Sequence, residues 1–547
     1  MSRTRRSGRG KPSRKRKLIE LGFVALAALG LLCVGLLVVL RQQGLLSLIS
    51  LAPKWTSAEI VPADTVFFAA VSPDVRDIRG YRHLIDVYDA TLDEAEAPVE
   101  WLETIEREWA LSFADDFGSW IGPEVAIAVA GDASQSELNP VEGSSVVFVA
   151  STRDGNAAEE FLSRLQQRSV DNGYSVSQRT YRDISYSVRE AAAGERGPFV
   201  SAQVGGYVLL ANGEGVVRDV IDVWGGDRAS LGSTEEYNKV VDALPRRASA
   251  IAFYDAQHED CQTGSEGAPF PSSLSKSTCF GDVRRVAVAI STRVEGVRID
   301  LAATHNTDTR DRWEVEEGDG TLLQKVPDDV AAFFSDRDLG ASLAGRFAKP
   351  YHLSALFEEK LLERVDGEFV VCFVKSIGGD SPRGPEWYAL FEPRERQPLI
   401  AAVETFAQNY TDRSSLELDF GTRAIGNVVI RAVVDRHSGD VALGYGVVGD
   451  LVIVGASEES LGRAVDSPAH SIAQDEVFNR VRRYLPAHNG GYLYLNTEVA
   501  RNLIRMQLPD EESIAPYLEP IKALGAARST EGTREGVTRS SIFVYIP

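Results

Sequence analysis

The feature that most constrains this fold is a duplication. One pattern of residues occurs twice, over 60–304 and 322–547. Val61-Pro62-Ala63-Asp64 followed by TVFFAAV returns as Val326-Pro327-Asp328-Asp329 followed by VAAFFS. Gly122-Pro123-Glu124 before VAIAVAG returns as Gly367-Glu368 before FVVCFV. YVLLANGEGVVRDVID (207–222) returns as LVIVGASEESLGRAVD (451–466). Tyr237-Asn238-Lys239-Val240 with Leu244-Pro245 returns as Phe478-Asn479-Arg480-Val481 with Leu485-Pro486. From Gly122 onward the offset stays near 240–245. Two copies imply two modules of one fold, and the length exceeds what one core spans.

Periods are mixed within each copy. TVFFAAV, VAIAVAG and VVFVAS are short apolar runs bounded by turn residues, as strands are. Residues 156–168 place Ala158, Phe161, Leu162 and Leu165 on one helical face, with Asn156 and Glu159 spaced as a capping box. Residues 398–408 place Leu399, Ile400, Val403 and Phe406 for the same purpose. Leu102, Ile105, Trp109 and Phe113 form another helical stripe, and such aromatic stripes belong to cores. Consecutive hairpins with helices inserted between them give an α+β class with mainly antiparallel sheet. Residues 305–321 form an acidic linker between the modules.

Ahead of the first copy, residues 21–40 (LGFVALAALGLLCVGLLVVL) carry no charge, and residues 1–17 hold nine Arg or Lys and no acid. Twenty apolar residues match a bilayer's hydrocarbon thickness of ~30 Å. The charge asymmetry predicts a single-pass transmembrane helix over 18–41, with 1–17 in the cytoplasm and 42–547 outside it. The apolar run is too long for a cleaved signal. Residues 42–59 become a juxtamembrane segment, with Trp55 at the outer interface. The membrane is thus the expected partner, through this helix.

Net charge is −21; 1–41 contribute +9, leaving −30 (48 basic, 78 acidic). Such a surface repels phosphate backbones, so no nucleic-acid partner is expected. Cys261 and Cys279 bracket a polar loop, and an extracytoplasmic location makes them an expected disulfide. Cys33 lies in the apolar run, and Cys372 reads as a buried small hydrophobe.

No assembled catalytic set, cofactor site or metal site emerges. Gly444-Tyr445-Gly446-Val447-Val448-Gly449 fits a dinucleotide fingerprint, but a strand follows it where a helix is required. Ser273 and Lys276 fit S-x-x-K without its partner motifs. Seven histidines are scattered (His83, His258, His305, His352, His437, His470, His488), none i, i+4 from another. Asp115-Asp116, Glu316-Glu317 and Asp328-Asp329 are paired carboxylates, which read as solvated acids near turns.

The Pro-Ala-Asp-Thr strand opening (62–65), the Gly-Pro-Glu strand (122–124) and the aromatic-Asn-Lys-Val…Leu-Pro segment (237–245) resemble a bacterial family. It is the domain-of-unknown-function family numbered thirty-three fifty-two, of membrane-anchored extracytoplasmic proteins. The resemblance implies location and architecture, not catalysis; the second copy departs from the opening at Asp328-Asp329.

The expected function is a non-catalytic binding or scaffolding element of the bacterial envelope at the inner, periplasm-facing membrane. The alternatives are an envelope-polymer hydrolase using paired carboxylates and a carrier of an amphiphilic ligand.

Overall fold

The computed structural model describes residues 55–71, 78–92, 119–130, 145–190, 198–256, 283–305, 316–337, 365, 367–374, 386–414, 417–466, 468–499, 518–531 and 536–547. In chain order the elements are β1 (Thr65–Val71), α1 (Ile78–Leu92), β2 (Ile121–Ala130), β3 (Ser145–Thr152), α2 (Gly155–Asp171), β4 (Val176–Tyr181), β5 (Ile184–Arg189), β6 (Phe199–Val204), β7 (Tyr207–Ala211), α3 (Glu214–Trp224), α4 (Glu235–Val241), β8 (Ala250–Asp255), β9 (Val283–Arg293) and β10 (Gly296–His305). The second half follows with β11 (Val330–Asp336), β12 (Phe369–Val374), β13 (Trp387–Phe391), α5 (Arg396–Arg413), β14 (Leu418–Ile425), β15 (Val428–Asp435), β16 (Val441–Val448), β17 (Leu451–Gly455), α6 (Glu458–Val465), α7 (Glu476–Arg482), β18 (Asn489–Asn496), β19 (Ala523–Ser529) and β20 (Val537–Tyr545).

Two compact units result. The first lies within Met1–Ile78, Ala95–Asp242 and Arg246–Ile290, the second within Arg79–Glu94, Ala243–Pro245 and Ser291–Pro547. In the first, antiparallel pairing gives the strand order β9-β8-β1-β2-β3-β7-β6-β5-β4. In the second the order is β10-β20-β19-β18-β11-β12-β13-β17-β16-β15-β14, again antiparallel throughout. From β9 to β4 and from β19 to β14, equivalent strands follow one another in the same order. Helix α1 and strand β10 come from the first copy of the repeat but belong to the second unit. There His83 Nε2 lies 3.0 Å from the Ile546 carbonyl.

Local chemistry accounts for the elements. In β2, Ala126, Ala128 and Ala130 are buried while Ile127 points outward, the period of a half-covered strand. Helix α2 buries Ala158, Phe161, Leu162 and Leu165, and Phe161 stacks on Trp120 at 4.9 Å between centroids. Helix α5 buries Leu399, Val403, Phe406 and Ala407 against a cluster including Phe369, Phe391 and Val433. Each fully buried Leu or Phe contributes about 1.5–3 kcal/mol relative to exposure. The α2 cap differs from the expected box. Asp154 is the N-cap and accepts hydrogen bonds from the backbone N–H of Asn156 (3.0 Å) and Ala157 (3.1 Å). The helix starts at Gly155, so Asp154 takes the cap position, where a carboxylate before the helix N-terminus is favoured, and Asn156 lies inside the first turn.

Several expectations need correction. Among the described residues no helix is long and apolar enough to cross a membrane, and 18–41 lie outside them. The anchored fold class, the inner-membrane location with extracytoplasmic 42–547, and membrane partnership through an N-terminal helix are therefore unsupported. With them goes the reading of an anchored envelope scaffold. Trp55 is no interfacial residue. It is buried (6% exposed) and leads into a 3₁₀ turn, Thr56–Glu59. Cys261 and Cys279 lie outside the described residues, so the structure gives the expected bridge no support. Cys372 is free and buried, and burial pushes its thiol up to about 12. The Leu102–Phe113 stripe, Asp115-Asp116, Ser273, Lys276, His258 and His352 also lie outside the described residues.

Candidate functional site

The shared landmarks turn out to build the fold. Glu124 is 2% exposed, and its carboxylate accepts from Thr56 N (2.9 Å), Thr56 Oγ1 (3.0 Å), Ser57 N (3.0 Å) and Ser57 Oγ. It closes the N-terminus of the 3₁₀ turn before β1. Glu368 does the same for the turn Thr321–Lys325 before β11, accepting from Thr321 Oγ1 at 2.9 Å. Desolvation raises the Glu368 pKa, opposed by hydrogen bonds from Thr321 and the Leu322 backbone. The glycine two residues before Glu124 is needed because a Cβ there would lie 2.9 Å from the Ser151 backbone. Pro62 and Pro327 bridge to Ser230 and Ser471 respectively. Asp64 pairs with Arg228, and Asp329 with Arg463, both at 2.8 Å.

What the copies do not share lies past the capped, asparagine-tied start of α7, at its C-terminal end. Asp475 caps the helix by accepting from Phe478 N at 2.6 Å. Asn479 Nδ2 donates back to the carbonyls of Asp475 (2.8 Å) and Ala473 (3.1 Å). The helix runs out at Arg482 and a turn through Leu485 and Pro486 leads into β18. These elements wall an open cleft of about 650 Å³ whose lining includes Glu476, Arg482, Arg483, Leu485, Pro486, Ala487 and Tyr492.

The Tyr492 hydroxyl organises one side of this cleft. It accepts from Arg482 Nε (3.0 Å) and from Asn489 Nδ2 (3.0 Å), while Asn489 also donates to the Pro486 carbonyl (2.7 Å). The Arg482 guanidinium centre lies 5.5 Å from the Tyr492 ring centroid. Arg482 and Arg483 are exposed, and neither pairs with a carboxylate among the described residues. Glu476 is engaged by Arg480, which also reaches Glu295 and Tyr545. The cleft therefore brings the Arg482 and Arg483 side chains together with the apolar Leu485, Pro486 and Ala487. The positions equivalent to Arg482, Arg483, Asn489 and Tyr492 in the first copy are Val241, Asp242, Ala248 and Ile251. Leu485 and Pro486 are legible in the sequence as repeat landmarks, whereas Arg482 and Arg483 are not, because they differ from their counterparts in the first copy. Residues that differ between aligned helices were the available signal.

The other singled-out residues do not converge. Gly444–Gly449 form strand β16 and the turn into β17, with Gly449 at φ 59. A Cβ on Gly444 would come within 2.4 Å of Leu461, so this glycine lets α6 approach the sheet. Glu316 pairs with Arg394 (3.2 Å), Glu317 with His488 (2.8 Å), and Asp329 with Arg463. The Asp328 backbone N–H donates to the His470 carbonyl. His305 Nε2 meets Thr538 Oγ1 at 2.7 Å. His437 is an exposed turn residue, 4.0 Å from Asp435. No group of three or more His, Cys, Asp or Glu suited to a metal occurs among the described residues.

The landmark pattern and the repeated strand order have a match. The model of the DUF3352 family, proteins of unknown function, covers residues 21–351 and 343–546. This chain belongs to the DUF3352 family. The membership brings two tandem β-rich domains; the anchoring that the resemblance implied is not supported by any described helix. No curated protein matches this DUF3352 chain. Among solved structures, crystal forms III, I and IV of TP0453 are similar at 10%, 10% and 8% identity. They cover 47%, 47% and 45% of this chain and 81%, 80% and 79% of theirs, with TM-scores of 0.25, 0.23 and 0.24. Scores that low do not establish a common fold.

Proposed function

We propose that this DUF3352 chain binds and carries a small amphiphilic molecule in the cleft between α7 and β18. The observation that supports the reading is the mixed lining: Leu485, Pro486 and Ala487 share the cleft with Arg482 and Arg483, beside the polar Gln474, Glu476 and Asn479. Ligand sites combine an apolar wall with a few placed polar groups, and this volume is within their usual range of about 300–1,000 Å³. Because the cleft is open, a bound chain lies along the wall with one side in water. Of the paired carboxylates a hydrolase would use, Glu316, Glu317 and Asp329 are each drawn to a separate basic partner.

Chain-length dependence tests the reading. Alkyl amphiphiles sharing one headgroup are titrated calorimetrically into the full chain. Each added methylene should tighten binding, by at most about fourfold for a fully buried one, until the wall is covered. Ala487→Asp, at an exposed lining position, should weaken the longer members most. Affinity independent of chain length would remove the proposal.

A further inference from the structure

We infer that the headgroup taken by this cleft is an oxyanion, held between the Arg482 and Arg483 guanidinium groups and the Tyr492 hydroxyl. The inference rests on the amphiphile reading and adds the chemistry of the polar end. Three observations carry it.

The first is the lack of partners. Across a chain of net charge −21, carboxylates outnumber cations, and arginines such as Arg179, Arg228, Arg463 and Arg480 are taken up in ion pairs. Arg482 and Arg483 are adjacent, line the same cleft and pair with no described carboxylate. Two cations that line one cleft without a carboxylate partner leave it a positive charge that an anion entering the cleft would offset.

The second is preorganisation. Arg482 spends its Nε on Tyr492, which fixes the guanidinium plane and leaves both Nη atoms as a fork facing away from that bond. A planar pair of N–H donors matches two oxygens of a phosphate or sulfate, whereas a lysine in that place supplies only a point charge. Tyr492 is itself held by Asn489. Its oxygen accepts two hydrogen bonds, and its own proton has no acceptor among the described residues. A third donor thus stands beside the fork.

The third is the other copy. Val241, Asp242, Ala248 and Ile251 occupy the equivalent places, so the arrangement of Arg482, Tyr492 and Asn489 is absent from the first copy, whose adjacent exposed arginines, Arg246 and Arg247, instead follow the Leu244-Pro245 turn. The fold does not require this cluster. An acid at the position of Arg483 would repel the anion that the second copy attracts.

Calorimetry with the full chain at low salt separates the possibilities. Dodecyl phosphate should bind about tenfold or more tighter than dodecyl maltoside, the margin of one good charge-assisted contact. Arg483→Glu should remove most of that margin. Arg482→Lys should remove part of it while keeping the charge, and Tyr492→Phe should weaken the phosphate several-fold without touching the maltoside. Thermal melts of each variant establish that it is folded. Equal binding of the two amphiphiles, unchanged by Arg483→Glu, overturns the oxyanion inference and leaves the carrier reading standing. Saturable inorganic phosphate with no amphiphile binding keeps the oxyanion site, assigns it to a free anion and overturns the carrier reading. Binding of none of the three overturns both.

Discussion

Helix α4 with strand β8, and helix α7 with strand β18, are the same piece of structure built twice. Each helix follows a 3₁₀ turn, is capped by Thr234 or Asp475, and carries an asparagine that ties it back to that turn. Each packs one aromatic residue against two at equivalent places, Tyr237 with Phe68 and Phe253 and Phe478 with Phe333 and Tyr494, and Phe478 also meets Tyr492. Past the last helical turn they part, one into Val241 and Asp242, the other into Arg482 and Arg483. The inner face of the helix answers to the sheet it covers; its end is exposed and less constrained, and there the copies diverged in charge. Similarity between the copies therefore reports architecture, and difference marks where that architecture leaves freedom.

The comparison is broken most severely at the shared aromatic. Phe478→Ala should cost about 3–5 kcal/mol, as large-to-small changes in packed cores do, and Tyr237→Ala a similar amount in its own unit. Urea unfolding followed by tryptophan fluorescence should resolve two transitions, each variant moving only one. A variant that moves both would mean that the units do not unfold separately.

Next come the buried carboxylates. Glu124→Ala strands two backbone N–H groups and two hydroxyls, so a loss of about 2–3 kcal/mol is expected. Glu368→Ala should cost less, because Glu368 is 9% exposed against 2% for Glu124. A larger loss for Glu368→Ala in the same denaturation experiment would contradict the assignment of Glu124 as the better-satisfied cap.

pH sharpens the same pair. Burial raises the Glu368 pKa above its unfolded value. Its favourable contribution is then complete below the unfolded pKa and is lost as pH rises through the folded one. The second unit should weaken over the interval between those two values, and Glu368→Gln should abolish that slope. A slope that survives the substitution places its origin elsewhere.

The smallest effect belongs to the hydroxyls. Tyr237 Oη and Tyr494 Oη are buried with no hydrogen-bond partner among the described residues, and burial pushes both pKa values up. Tyr237→Phe and Tyr494→Phe should leave stability unchanged or raise it by up to about 1 kcal/mol. A loss of more than that in equilibrium unfolding would reveal a partner for the hydroxyl.

Much of the architecture was legible because backbone rules are periodic. The strand alternation of β2, the stripe of α2 and the order of landmarks in both copies follow from spacing alone. The cap at Asp154 was misread by two residues, since Asn156 also suits a cap and sequence does not say which side chain reaches the donors first. The membership of α1 in the second unit was not legible: a helical stripe reveals that a face is covered, never by which sheet. The cleft was illegible for a different reason. Arg482 and Arg483 look like any basic pair on a polar helix end, and only the fold reveals that Tyr492, ten residues on, orients one of them.

The aromatic trios also constrain the order of past substitutions. Each trio contains a single tyrosine, on the helix in the first copy and on the strand in the second. To pass from one arrangement to the other, a lineage must cross either a trio with two hydroxyls or one with none. Two buried hydroxyls without partners would each cost up to about 1 kcal/mol, while three phenylalanines cost nothing of the kind. The easier passage between the two arrangements is thus through an all-phenylalanine trio, whichever of them came first.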